Sequence, residues 1–169
     1  QAPSRSYLKV EEAFYRMNEW PQPGQRVIDL GAAPGGWTLA FAKRGSHVIA
    51  IDNGPLRLPD SGPGWGSVEH LRQDGLLYAL PAGAPPVDWL VADMLVAPGR
   101  VVSLLRHWLK GPSMHRFVVN MKLPEGSPMA AIRPLQDMMA HHTEFRTSIR
   151  HLYHDREEIT VMGQRRKTG

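Results

Sequence analysis

Residues 29–37 read Asp29-Leu30-Gly31-Ala32-Ala33-Pro34-Gly35-Gly36-Trp37, and this stretch decides the fold. A short β-type run, Arg26–Leu30, leads into it, and a helical run, Trp37–Lys43, leaves it. A strand that enters a helix through a glycine-rich turn lets its backbone approach a ligand, because glycine has no Cβ and tolerates positive φ. Pro34 stiffens the same turn by fixing its own φ. Two phosphate-binding patterns are excluded. The dinucleotide fingerprint Gly-x-Gly-x-x-Gly needs glycine where Ala33 stands, and a P-loop ends in Gly-Lys-Ser/Thr, which is missing here. An adenosine ligand without a pyrophosphate is the reading left.

Outward from the turn, the apolar runs alternate between strand and helix type. His47–Asp52, Val68–Arg72, Trp89–Ala92, Phe117–Met121, Thr147–Tyr153 and Glu158–Met162 read as further strands, while Val101–Leu109 and Ala130–His142 read as helices. Pro134 is expected to begin or kink the last of these. Residues 54–66, rich in Pro and Gly, read as a loop without an assigned role. The alternation predicts an α/β chain with a mostly parallel, seven-stranded sheet and helices on both faces. Ligands in such sheets bind at the carboxyl ends of the strands. Asp29, Asp52, Asp74, Asp93 and Lys122 all fall at or just past predicted strand ends. Asp52, 21 residues after Gly31, is placed to accept hydrogen bonds from ribose hydroxyls, and Asp74 could accept from an adenine amino group.

The length, 169 residues, suits one domain spanning residues 1–169, and the Gln1 start points to the C-terminal part of a longer parent. No apolar run approaches the roughly 20 residues that span a bilayer, so a cytoplasmic protein without a membrane partner is expected. Cysteine is absent, which excludes disulfides and a thiolate nucleophile. A net charge of +4, carried by 15 Arg against 5 Lys, favours a polyanionic partner, since Arg pairs with phosphate in bidentate fashion. Arg5, Arg150, Arg156 and the tail Arg165-Arg166-Lys167 are candidates for phosphate contact. No stretch interleaves aromatic and basic residues as a single-strand platform would. The eight histidines, among them His141-His142 and His151-x-x-His154, lack metal-ligand spacing, and no metal is expected.

The segment 29–37 resembles motif I of the FtsJ-like family of RNA ribose 2′-O-methyltransferases. Ala2–Ala13, Ile51–Pro55, Asn120–Pro124 and Leu152–Glu158 narrow the resemblance to the RlmM-like branch, which methylates a cytidine ribose of large-subunit ribosomal RNA. The resemblance implies a Rossmann-like class I methyltransferase fold with S-adenosyl-L-methionine as cofactor. Its partner would be ribosomal RNA before full subunit assembly, and the chain would act as a monomer. It also implies a catalytic Lys-Asp-Lys-Glu tetrad, carried over as Lys9, Asp93, Lys122 and either Glu157 or Glu158. The cofactor contacts implied are Ser6, Gly31, Ala33, Pro34, Gly35, Gly36, Trp37, Asp52, Asp74 and Asp93. The ring of Trp37 is expected to pack its helix onto the sheet.

A ribose 2′-hydroxyl is a weak nucleophile, so its proton must be removed or shared while oxygen, methyl carbon and sulfur are held in line. A free Lys, with pKa about 10.4, is protonated at neutral pH. Two lysines brought together lower the pKa of one, which makes Lys122 the expected base. Base-carbon methylation commonly needs a Cys, and amino-group methylation an Asn/Asp-Pro-Pro-aromatic loop. Met94–Pro98 does not match that loop. A small-molecule O-methyltransferase and a non-catalytic RNA-binding module are the remaining alternatives.

Overall fold

The computed structural model describes Ala2 and residues 4–111, 114–152 and 157–168. Seven strands form one sheet in the order β3-β2-β1-β4-β5-β7-β6. They are β1 (Arg26–Leu30), β2 (His47–Ile51), β3 (Val68–Leu71), β4 (Val87–Ala92), β5 (Met114–Lys122), β6 (Phe145–Arg150) and β7 (Glu158–Arg165). The first five are parallel. β7 inserts antiparallel between β5 and β6. This is the mostly parallel, seven-stranded sheet expected from the alternation, in the Rossmann-like form that the resemblance implied.

The central strands are buried on both faces. Val27, Ile28 and Leu30 are fully covered, as are Val87, Trp89 and Val91, because helices pack on each side. α1 (Ser6–Met17) and α2 (Gly36–Ala42) close one face around Phe14, Phe41 and Trp89. α3 (Pro98–Leu109) and α4 (Pro128–His141) close the other around Leu105, Trp108, Leu135 and Met138. Pro98 and Pro128 stand in the first turns of these helices, where a missing N–H costs nothing.

Three elements differ from the sequence reading. α1 was not expected as a helix, yet Val10, Ala13 and Phe14 give it a buried stripe at helical spacing. Arg5 at its N-cap makes no capping hydrogen bond, so the usual start signal is missing. α4 begins at Pro128 and runs through Pro134, which neither starts nor ends it. The expected strand end at Tyr153 lies outside the described residues, and β6 stops at Arg150. Among the described residues no helix is long and apolar enough to cross a membrane, and no cluster of metal-ligating side chains is found.

Candidate active site

The carboxyl edge of the sheet carries a cavity of about 440 Å³. Its walls come from the turn after β1, the loops after β2, β3 and β4, the start of α1 and the start of β7. The volume lies within the range of small-ligand pockets.

The glycine turn forms the first wall. Gly31 has φ +71°, and a Cβ there would drive into Met94, so the position needs glycine twice over. Gly35, at φ +119°, is the N-cap of α2, and a Cβ on it would sit 2.8 Å from the side chain of Leu58. The Ala33–Pro34 peptide is cis. Asp52 holds the turn in place: its carboxylate accepts from the Ala33 N–H at 2.9 Å and from the Gly54 N–H at 2.7 Å. Asp74 accepts from the Leu76 N–H at 2.9 Å and stays exposed at the rim. Beneath the turn Asp29 is 1% exposed and accepts from the Thr38 hydroxyl at 2.7 Å. Burial, with the carboxylates of Asp93 and Asp52 nearby, raises its pKa to about 7, against the opposing hydrogen bond from Thr38.

The second wall gathers residues from far apart in the chain. Lys9 donates to Glu158 at 2.8 Å, and both side chains are mostly buried. The Asn120 amide donates to Asp93 at 3.2 Å and to Glu158 at 3.4 Å, bridging the two carboxylates. The amide oxygen accepts from the Thr160 hydroxyl at 2.6 Å, which fixes which way it faces. Asn120 and Thr160 are 3% and 2% exposed. Lys122 ends β5 and pairs in register with Glu158. Opposed residues of an antiparallel pair lie about 4.5–5.5 Å apart between Cα atoms and point to one face. Lys122 is therefore beside Glu158 on the face that carries Asn120.

Of the residues expected here, Ser6, Lys9, Gly31, Ala33, Pro34, Asp52, Asp74, Asp93 and Glu158 line the cavity. Gly35, Gly36, Trp37, Lys122 and Glu157 are not among its lining. Gly36 is buried where a Cβ would collide with Ser4, and Trp37, 2% exposed, donates from its indole to the Ser6 carbonyl at 2.8 Å. These two act by fastening α1 to α2. Between the two glutamates left open by the sequence, Glu158 meets Lys9, whereas Glu157 is exposed just before β7. Sequence reasoning missed Asn120 and Thr160. Their signal was two polar residues inside strongly apolar strands, each standing two positions from a residue of the expected tetrad, Lys122 or Glu158.

The basic candidates are scattered. Arg165 turns back to the Met114 carbonyl and lies over the Phe145 ring, while Arg166 donates to the Thr143 carbonyl. Both sit at the sheet edge remote from the cavity, since β7 starts at the cavity and ends with Arg165. Arg150 ends β6 at the near edge, Arg5 precedes α1, and Arg156 lies outside the described residues.

Comparisons with known proteins agree with the architecture. Residues 2–121 match the model of the FtsJ-like methyltransferase family, a match that stops one residue short of Lys122. The chain is 42% identical over 95% of its length to ribosomal RNA large subunit methyltransferase M of Laribacter hongkongensis. It is 44% identical over 97% of its length to the protein of that name from Halorhodospira halophila. It spans about half of these relatives, 47% and 48% of their lengths. Among solved structures, it resembles magnesium protoporphyrin IX methyltransferase of Synechocystis PCC 6803 with bound SAM, at TM-score 0.61 and 14% identity, covering 96% of this chain and 79% of that one. Fibrillarin of Aeropyrum pernix, in complex with S-adenosyl-L-methionine, gives TM-score 0.56 and 16% identity, covering 92% and 74%.

Proposed function

The chain belongs to the FtsJ-like methyltransferase family, and on that premise we propose that it methylates a ribose 2′-hydroxyl of RNA, that of a cytidine in large-subunit ribosomal RNA, using S-adenosyl-L-methionine. One observation carries the reading: Lys9, Asp93 and Glu158 converge beside the glycine turn, joined by Asn120, with Lys122 paired to Glu158. The names of the relatives support the ribosomal substrate.

The cavity suits the donor. Among the described residues Asp52, Asp74, Asp93 and Glu158 line it against one cation, Lys9, a balance that favours a positively charged sulfonium over a phosphate. Gly31, Ala33, Pro34, Asp52, Asp74 and Asp93 would hold it, with Ser6 at the α1 side. Each Asp52 oxygen already accepts one backbone N–H and retains a lone pair for a ribose hydroxyl. When bound, S-adenosyl-L-methionine supplies an activated methyl group, so what remains for the chain is aim and proton removal.

In this reading Lys122 takes the hydroxyl proton and Lys9, held by Glu158, donates to the acceptor oxygen to orient it. Asp93 and Glu158 offset the charge of the two lysines. Asn120 acts through both carboxylates as a positioning residue, and Thr160 keeps its amide turned the right way. Titration calorimetry with S-adenosyl-L-methionine, followed by mass-spectrometric mapping of methyl groups on a large-subunit rRNA transcript, tests the proposal. The expected product carries its methyl on a ribose oxygen. Cofactor binding without transfer to the RNA, or a methyl on a base, would overturn it.

A further inference from the structure

β6 reads Phe145-Arg146-Thr147-Ser148-Ile149-Arg150, and the period of two puts Arg146, Ser148 and Arg150 on one face. Their partners across the ladder are Gln164, Met162 and Thr160 of β7. Met162 packs in the core beneath α1 and α2, and Thr160 reaches Asn120, so this is the α1 face of the sheet. α1 packs on β7. Between its C-terminal turn and the edge strand β6 lies a groove of about 600 Å³.

The chemistry of this groove is one-sided. Arg16, Arg146 and Arg150 line it, and no carboxylate does so among the described residues. Arg16 shares its charge with Glu12 at 3.3 Å. Arg146 and Arg150 are exposed, and among the described residues neither makes an ion pair. Tyr15 stands on the wall with 76% of its surface in water. A larger hollow of about 810 Å³ between α3 and α4 also holds Arg106, Lys110 and Arg133, but it mixes them with Asp137 and an apolar floor of Met129 and Met138.

The Arg150 end of the groove lies toward the tetrad. β6 runs parallel to β5, so Arg150 is at the carboxyl edge, paired with Thr160 two residues along β7 from Glu158. From Glu158 to Gln164 the strand covers about 20 Å at about 3.3 Å per residue. Arg146 and Arg150 are about 13 Å apart along β6 on the same rise.

We infer that this groove is the track along which the RNA strand leaves the reacting ribose, an inference that rests on the function proposed above. Arg150 and Arg146 each take a backbone phosphate, and Tyr15 stacks on an unpaired base. An acidic peptide would satisfy the arginines but would leave the exposed Tyr15 ring without purpose.

The test uses a fluorescein-labelled single-stranded oligoribonucleotide, titrated with the whole chain by anisotropy at several salt concentrations. In the double variant R146E/R150E we expect Kd to rise on the order of tenfold or more and the log–log salt slope to become shallower by about 1.4, the value for two lost single-strand contacts. Y15A should weaken binding a few-fold, on the order of one stacked base, without changing that slope. Affinity for S-adenosyl-L-methionine stays at the wild-type value in both. Unchanged Kd and slope in R146E/R150E overturn the track, as does a loss that appears instead in R106E/R133E. Competition by polyglutamate at the same concentration as RNA would also overturn it, in favour of an acidic protein partner. Tritium transfer from the cofactor to an rRNA transcript by the wild-type chain separates the two claims. Transfer with an unaltered R146E/R150E salt slope defeats only the track, whereas no transfer at all defeats the function beneath it.

Discussion

Asp52 grips backbone only 19 residues away at Ala33, whereas Lys9 and Glu158 are 149 residues apart in the chain. The two sides of one cavity are thus built by different means. The donor wall is main chain bent by glycine and fastened by a carboxylate, and it depends little on how distant strands pair. The acceptor wall is side chains on α1, β5 and β7 and the end of β4, and it exists only when β7 inserts next to β5 in its observed register. Substitutions on the first wall should change cofactor affinity, and substitutions on the second should change rate.

The sharpest way to break that division is Lys122→Ala. Loss of the proposed base should lower kcat on the order of 10²–10⁴-fold while leaving the calorimetric Kd for S-adenosyl-L-methionine within about twofold. Near-normal transfer would remove Lys122 from the mechanism. Asp52→Ala should do the reverse. Losing charge-assisted hydrogen bonds to the donor weakens its binding on the order of 10–100-fold, with kcat at saturating cofactor changed only a few-fold. An effect confined to kcat would show that the two walls are not separable.

A smaller effect is expected from Thr160→Val, which frees the Asn120 amide to rotate. We expect kcat to fall on the order of tenfold and its pH profile to move, because the amide no longer steadies the two carboxylates. KM for RNA should hold, and Thr160→Ser should restore the profile. A change in melting temperature with an unmoved pH profile would reduce the pair to a structural hydrogen bond.

Asp29→Asn should affect activity least and stability visibly. With its pKa raised from the usual carboxylate range to about 7, native Asp29 keeps a proton that the unfolded chain has already released. The native state binds more protons between those two values, so stability falls as pH rises through that window and levels off above it. The cost at pH 8 is at most about 4 kcal/mol. The variant should therefore gain in melting temperature relative to wild type as pH goes from 5 to 8. Equal pH dependence in both proteins would place the proton elsewhere.

The donor wall was legible because its determinants are neighbours in the chain. Gly31, Pro34 and Asp52 could be read from one turn and the strand after it, and the sheet followed from alternating apolar runs. Asp93 and Lys122 were marked by their places at strand ends, but their catalytic roles, and Lys9 altogether, came from resemblance, since nothing local marks a lysine on a helix as catalytic. Asn120 and Thr160 were hidden for the same reason: only the β5–β7 register turns two isolated polar residues into a bridge. α1 escaped because its apolar stripe is short and its N-cap lacks a capping side chain. Tyr15 and Arg150 looked unrelated until helix and edge strand came together.

The loop at 54–66, which carried no motif, has a consequence for the donor wall. Its Arg57 N–H donates to the Pro34 carbonyl at 2.7 Å, Leu58 closes over Gly35, and Gly66 donates to the Ala42 carbonyl at 2.8 Å. The loop is a latch laid across the outside of the turn. Hydrogen exchange at Arg57 should then report how often the latch lifts, and cofactor residence time should follow that frequency.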